Sequence, residues 1–304
     1  MTVSIAALTL SASCSAFRGQ ANASGESVNV NVSTAAQPEA GSGKVTTDQA
    51  IRKVDFKNFT YEPDCVGDQK TKVTVKNGEF SSEKQMDGYV DRFYFEVREV
   101  SFGDLNGDNS EEAAVLTVCN TGGTGNFSEG FIYTLKDGKP VLLTTVPGGD
   151  RAYGGLRTMK VDNGQLVVES NDPGKNGASC CPELVITTRY DVSTGKLKKV
   201  GKEDRRALFP SERVKFAKGA TGTTLTVKIP ASEGKRFVVG AAAHQTLDVS
   251  VNTDKATVRL LEDAETTENT NGFSAVLPKN GDYTIEVSNY EDKPIEVILN
   301  IKIR

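Results

Sequence analysis

The run Ala113-Ala-Val-Leu-Thr-Val118 constrains this chain more than any other stretch, because six residues with no charge and a single hydroxyl belong to a strand covered on both faces. Such a strand needs material above and below it, so it is expected at the centre of the first folded domain. It is entered from a loop crowded with oxygen ligands, Gly103-Asp-Leu-Asn-Gly-Asp-Asn-Ser-Glu-Glu112. Asp104, Asn106 and Asp108 fall at positions 1, 3 and 5. Ser110 at position 7 offers a backbone carbonyl and Glu112 stands at position 9, the donor set that a hard cation such as calcium takes. Asn109 at position 6 tolerates a left-handed turn, and position 12 is Val115, so the bidentate glutamate of the helix-loop-helix motif is missing. The other reading is a tight turn in which Asp104 and Asp108 accept backbone N–H groups without an ion.

The loop and the apolar run behind it resemble the calcium loops of FG-GAP repeats in integrin-like proteins, although the motif occurs once where a propeller would repeat it. Around it the sequence predicts a mainly β chain. Thr46-Thr-Asp-Gln49 reads as a capping box opening a short helix with Ile51 and Val54 on one face. Arg92 to Phe102 is a long aromatic strand whose parity changes at Arg98-Glu99, which predicts a bulge. Asp137-Gly138, Asn163-Gly164 and Thr194-Gly195 each join two strand-like runs, the first two being strong hairpin signals. Residues 45–206 are therefore expected to form an antiparallel meander with a short helix. Asp150, Arg151 and Tyr153, in Pro147-Gly-Gly-Asp-Arg-Ala-Tyr-Gly-Gly155, are candidates for a displayed binding loop or an internal ion pair. Asn120-Thr-Gly-Gly-Thr-Gly-Asn126 leads into no helix and lacks a Lys-Ser/Thr ending, so it reads as a flexible hairpin connection rather than a phosphate cradle.

Residues 1–14 form an apolar run ending Leu10-Ser-Ala-Ser-Cys14, which resembles the lipobox of bacterial lipoproteins. That resemblance implies lipidation of Cys14, export, and an envelope location facing the periplasm or in the outer membrane. No Lys or Arg precedes the apolar run, which suggests a true start upstream of the written one. Residues 15–44 are poor in bulky apolar side chains and read as a disordered tether. Cys65, Cys119, Cys180 and Cys181 then form an even set in an exported chain, so disulfides are expected. Adjacent cysteines close a strained ring, so Cys180 and Cys181 are each expected to reach one of Cys65 and Cys119. The loop, the glycine run and the Cys-Cys-Pro-Glu segment together resemble an uncharacterised class of bacterial lipoproteins.

Residues 207–304 carry eight short runs at regular spacing, closing on Ile295, Val297, Leu299, Ile301 and Ile303 in strict period two. They predict an eight-stranded, jelly-roll-like β-sandwich. Val214-Lys-Phe-Ala-Lys-Gly219, Arg236-Phe-Val-Val239, His244-Gln-Thr-Leu-Asp-Val-Ser250 and Leu277-Pro-Lys-Asn-Gly-Asp-Tyr-Thr-Ile-Glu-Val287 resemble pre-peptidase C-terminal domains and, still more, periplasmic inhibitors of g-type lysozyme. The inhibitors carry a long basic loop before their last strand. Here that connection is Ser288-Asn-Tyr-Glu-Asp-Lys-Pro294, short and acidic, so no inhibitory residue carries over. A net charge of -4 sets nucleic acid aside, and the basic run from Lys196 to Arg206 is broken by Glu203 and Asp204. With one histidine, His244, and no Gly-x-Ser-x-Gly elbow, a nucleophilic triad has little to build on. The expectation is a non-catalytic, lipid-anchored envelope protein binding a protein or glycan, with lysozyme inhibition and a carboxylate hydrolase as alternatives.

Overall fold

A computed structural model of the chain describes residues 48–304 other than 67–70, 176 and 179. The apolar leader, Cys14 and the tether lie outside the described residues. The chain is mainly β, and the described residues include two single turns of 3₁₀ helix, at Ala50–Lys53 and Asp64–Val66. The first stands where a short capped helix was expected. Of the expected capping box, Thr46 lies outside the described residues; the Gln49 side chain donates to Glu111, and Asp48 Oδ1 accepts the Ala50 N–H.

After a small pair, β1 (Thr60–Tyr61) with β2 (Val73–Thr74), the chain builds a five-stranded antiparallel sheet in sequence order. Its strands are β3 (Glu79–Gln85), β4 (Val90–Gly103), β5 (Glu112–Asn120), β6 (Phe127–Lys136) and β7 (Lys139–Asp150). A second four-stranded sheet follows, also in order: β8 (Leu156–Asp162), β9 (Gln165–Asp172), β10 (Leu184–Asp191) and β11 (Lys198–Ala207). The expected meander is thus folded into two layers. Asn163-Gly164 and Asp137-Gly138 turn with both residues at positive φ, as their hairpins require. The register of β4 on β5 slips between Val97 and Glu99, so the bulge falls where the parity changes.

β5 is buried on both faces. Ala113, Val115 and Cys119 pack with Phe95, Phe131 and Tyr133 beneath the segment that carries Ile51, Phe56 and Tyr61. Ala114 and Leu116 face Ile132, Met159 and Leu166 of the inter-sheet core. Glycine is required where the layers touch: a Cβ on Gly130 would sit 2.3 Å from Met159 Sδ.

Nine strands make the C-terminal sandwich. One sheet runs β12 (Ser211–Arg213), β14 (Gly234–Ala241), β19 (Gly281–Asn289) and β16 (Ala256–Leu260). The other runs β13 (Gly222–Ile229), β20 (Ile295–Ile303), β15 (Thr246–Val251), β18 (Gly272–Val276) and β17 (Glu265–Asn269). The strand beyond the eight expected is β17, whose five residues are all exposed. β12 pairs parallel to β14, and the other ladders are antiparallel. Val297, Leu299, Ile301 and Ile303 of β20 are buried against a core containing Phe237, Tyr283 and Ile285.

Candidate functional site

The 104–112 loop is closed by its own backbone. Asp104 accepts the Gly107 and Asn109 N–H groups at 2.6 and 3.0 Å, Asn106 that of Asp108 at 2.9 Å, and Asp108 that of Ser110 at 2.7 Å. Gly107 and Asn109 supply the positive φ that this winding needs. Glu112 is fully buried and accepts from Leu105 N, Asn106 Nδ2 and Thr134 Oγ1, and burial raises its pKa. Glu111 points the other way and binds Arg52 and Gln49, so the adjacent glutamates serve opposite faces. Among the described residues no three His, Cys, Asp or Glu side chains are gathered as a metal set. The side-chain oxygens of Asp104, Asn106 and Asp108 accept backbone N–H groups of the same loop.

At the opposite end of β5, Cys119 is tied to the covering segment. Cys65, on the second 3₁₀ turn, is bonded to Cys119 with Cα atoms 6.6 Å apart. Beyond that bridge the sheet face opens into a cleft of about 260 Å³, lined by Pro63, Asp64, Phe127, Glu129, Pro147 and the glycines at 148 and 149 among others. Glu129 Oε2 accepts the Asp64 N–H at 3.0 Å. Burial, with Asp64 close by, pushes the Glu129 carboxyl up to about 7. Nothing in the sequence reading marked Glu129. The only local sign is a carboxylate between Phe127 and Phe131 on an otherwise buried strand.

Two loops flank this cleft. Asn120 organises the glycine run through its side chain, donating to Gly125 O at 2.7 Å and accepting from Gly122 N at 2.8 Å, so the connection is built rather than slack. Asp150 and Arg151 form a side-by-side ion pair at 3.1 and 3.2 Å, and this pair with the Asn126 N–H holds the Asp150 pKa down. The Asn126–Asp150 bond, 2.8 Å, ties one loop to the other. Gly149 has no room for a side chain, since its Cβ would lie 1.9 Å from Tyr153 O. The loop displays Tyr153, 56 % exposed, near the edge where Phe127 is 42 % exposed. Asp150, Arg151 and Tyr153 are therefore brought together, with the charges spent on each other and the ring facing outward.

Cys180 and Cys181 bond each other, not Cys65 or Cys119 as expected. Cys65 lies on the cover directly over Cys119, whereas the adjacent pair sits in the connection between β9 and β10 of the other sheet, where each thiol's reachable partner is its neighbour. His244 occupies an exposed turn at φ 66°. No helix among the described residues is long and apolar enough to cross a membrane.

No protein-family model and no curated protein matches this chain. Among solved structures, the periplasmic lysozyme inhibitor of g-type lysozyme from Aeromonas hydrophila is 20 % identical over 32 % of this chain and 97 % of its own, with a TM-score of 0.29. A mutant of the Escherichia coli inhibitor is 17 % identical, over 32 % and 99 %, at 0.28. The pre-peptidase C-terminal domain of a collagenase from Bacillus anthracis is 16 % identical, over 31 % and 94 %, at 0.24. Likeness at this level carries no functional conclusion.

Proposed function

We propose that this chain is a non-catalytic protein of the bacterial cell envelope, anchored through a lipidated Cys14 and binding a protein partner by contact. The observation that supports it most is the edge formed by the 120–126 and 147–153 loops. Two rigidly built loops present the Phe127 and Tyr153 rings beside a cleft, an arrangement suited to a contact surface with aromatic anchors. The one histidine, on an exposed turn, offers no triad base there. The test is capture of envelope proteins by the soluble chain without Cys14, beside Phe127→Ala and Tyr153→Ala chains. Specific capture that both variants reduce supports the reading, and capture indifferent to both rings refutes it. Radiolabelled palmitate incorporated by the intact chain, and not by Cys14→Ser, tests the anchor.

A second reading, inhibition of g-type lysozyme, comes from the resemblance of the strand and turn residues between Val214 and Val287 quoted above, which bear on the fold and include no inhibitory residue. Failure of the soluble chain to slow lysis by that enzyme removes it.

A further inference from the structure

We propose that the cleft beside the Cys65–Cys119 bridge receives one arginine side chain of the partner, its guanidinium paired with the Glu129 carboxylate and resting against the Phe127 ring. This rests on the contact reading above and names the chemistry recognised. At about 260 Å³ the cleft lies below the roughly 300–1,000 Å³ of pockets that enclose a whole small molecule, so its size suits a side chain. The Asp64 N–H engages Oε2 of Glu129, which holds the carboxylate in place and leaves Oε1 for an incoming donor.

Among the described residues, no Lys or Arg pairs with Asp64 or Glu129, in contrast to Asp150, which Arg151 neutralises. Burial, with the Asp64 charge beside it, disfavours ionisation of Glu129, and a cation paired with Glu129 offsets that cost. The exposed Phe127 ring and Pro147 give the guanidinium an apolar surface to stack on, where the pairing gains from reduced solvation. The bridge, and the packing of Gly148 against Ser128, fix the walls beforehand, so little ordering is required on binding.

The test is a titration of the soluble chain with N-acetylarginine amide and, separately, with its neutral isostere N-acetylcitrulline amide, followed by the NMR signals of Ser128, Gly148 and Gly149. The expected result is movement of those amides with at least about tenfold tighter binding of the cation, as charge-assisted pairing implies. Glu129→Gln removes the preference, and Phe127→Ala, at an exposed ring, weakens arginine binding several-fold while the fold persists. Equal response to both probes, or a preference that survives Glu129→Gln, overturns the proposal. Partner capture undiminished in Glu129→Gln also overturns it while leaving the contact reading intact.

Discussion

Glu112 and Glu129 show how differently one residue type behaves on neighbouring strands. Glu112 is enclosed by three donors, so Glu112→Ala strands Leu105 N and Thr134 Oγ1 and leaves Asn106 Nδ2 with Asp108 Oδ2 alone. A loss of about 2–4 kcal/mol in urea unfolding is expected, since each buried unsatisfied group costs roughly 1–3 kcal/mol. The calcium expectation falls on the same loop: if the donor set at Asp104, Asn106, Asp108, Ser110 and Glu112 holds calcium, millimolar calcium raises Tm and EDTA reverses the rise. Identical melting curves leave Asp104 and Asp108 as turn formers alone. Glu129 sits where burial and Asp64 disfavour its charge, and Tyr133 is the other titratable group it acts on. Its folded pKa, about 7, lies above the unfolded value of ~4.3, so its contribution is fully present below the latter and is lost as pH rises through 7. Glu129→Gln should therefore melt higher than the natural chain at pH 8 and equally at pH 4.

At the scale of elements, the two disulfides are unequal. Cys65–Cys119 spans 54 residues and fixes the cover to β5; restricting an unfolded loop of that length is worth about 4 kcal/mol at most. Cys180–Cys181 closes no chain loop. The double change Cys65→Ala with Cys119→Ala should thus lower unfolding stability by several kcal/mol, while Cys180→Ser with Cys181→Ser moves it by under about 0.5 kcal/mol. Reversed effects would contradict the pairing. The strands themselves were largely legible, because β5 and β20 show opposite burial patterns in their side chains, two faces against one. β17, Glu-Thr-Thr-Glu-Asn269, buries nothing and so has no periodicity to read. The thiol pairing and the Glu129 cleft were not legible for a shared reason: each depends on the Pro63–Cys65 segment meeting strands far along the chain, 54 residues on for Cys119 and 65 for Glu129.

Across the whole molecule, the four-stranded sheet and the C-terminal sandwich meet through charge. Arg206 grips Glu233 with two bonds, 2.7 and 2.9 Å, and Arg157 reaches the same carboxylate at 3.3 Å. Glu183, two residues after the adjacent cysteines, holds Arg236, which passes to the buried Glu286 and so to Arg259. Phe209 fits because Gly234 beneath it has no side chain, and the Arg236 guanidinium lies 4.9 Å over its ring. Burial lowers the Arg157 pKa, yet the side chain, 13 % exposed, keeps its charge because Glu233 faces it. Glu233→Gln removes the carboxylate that Arg157 and Arg206 share, leaving the two guanidinium groups to repel in a poorly hydrated place with only the longer Glu169 contact of Arg206 to offset it. A cost of about 2–4 kcal/mol is expected, below the 3–5 of a wholly buried pair because Arg206 remains partly in water. The loss should appear as faster proteolysis in the 207–211 connection and as splitting of the unfolding transition. Glu296→Gln, at the exposed Lys228 pair, is the control and should change stability by under about 0.5 kcal/mol. If Glu233→Gln behaves like that control, apolar contact at Leu208 and Phe209, and not charge, holds the two halves together.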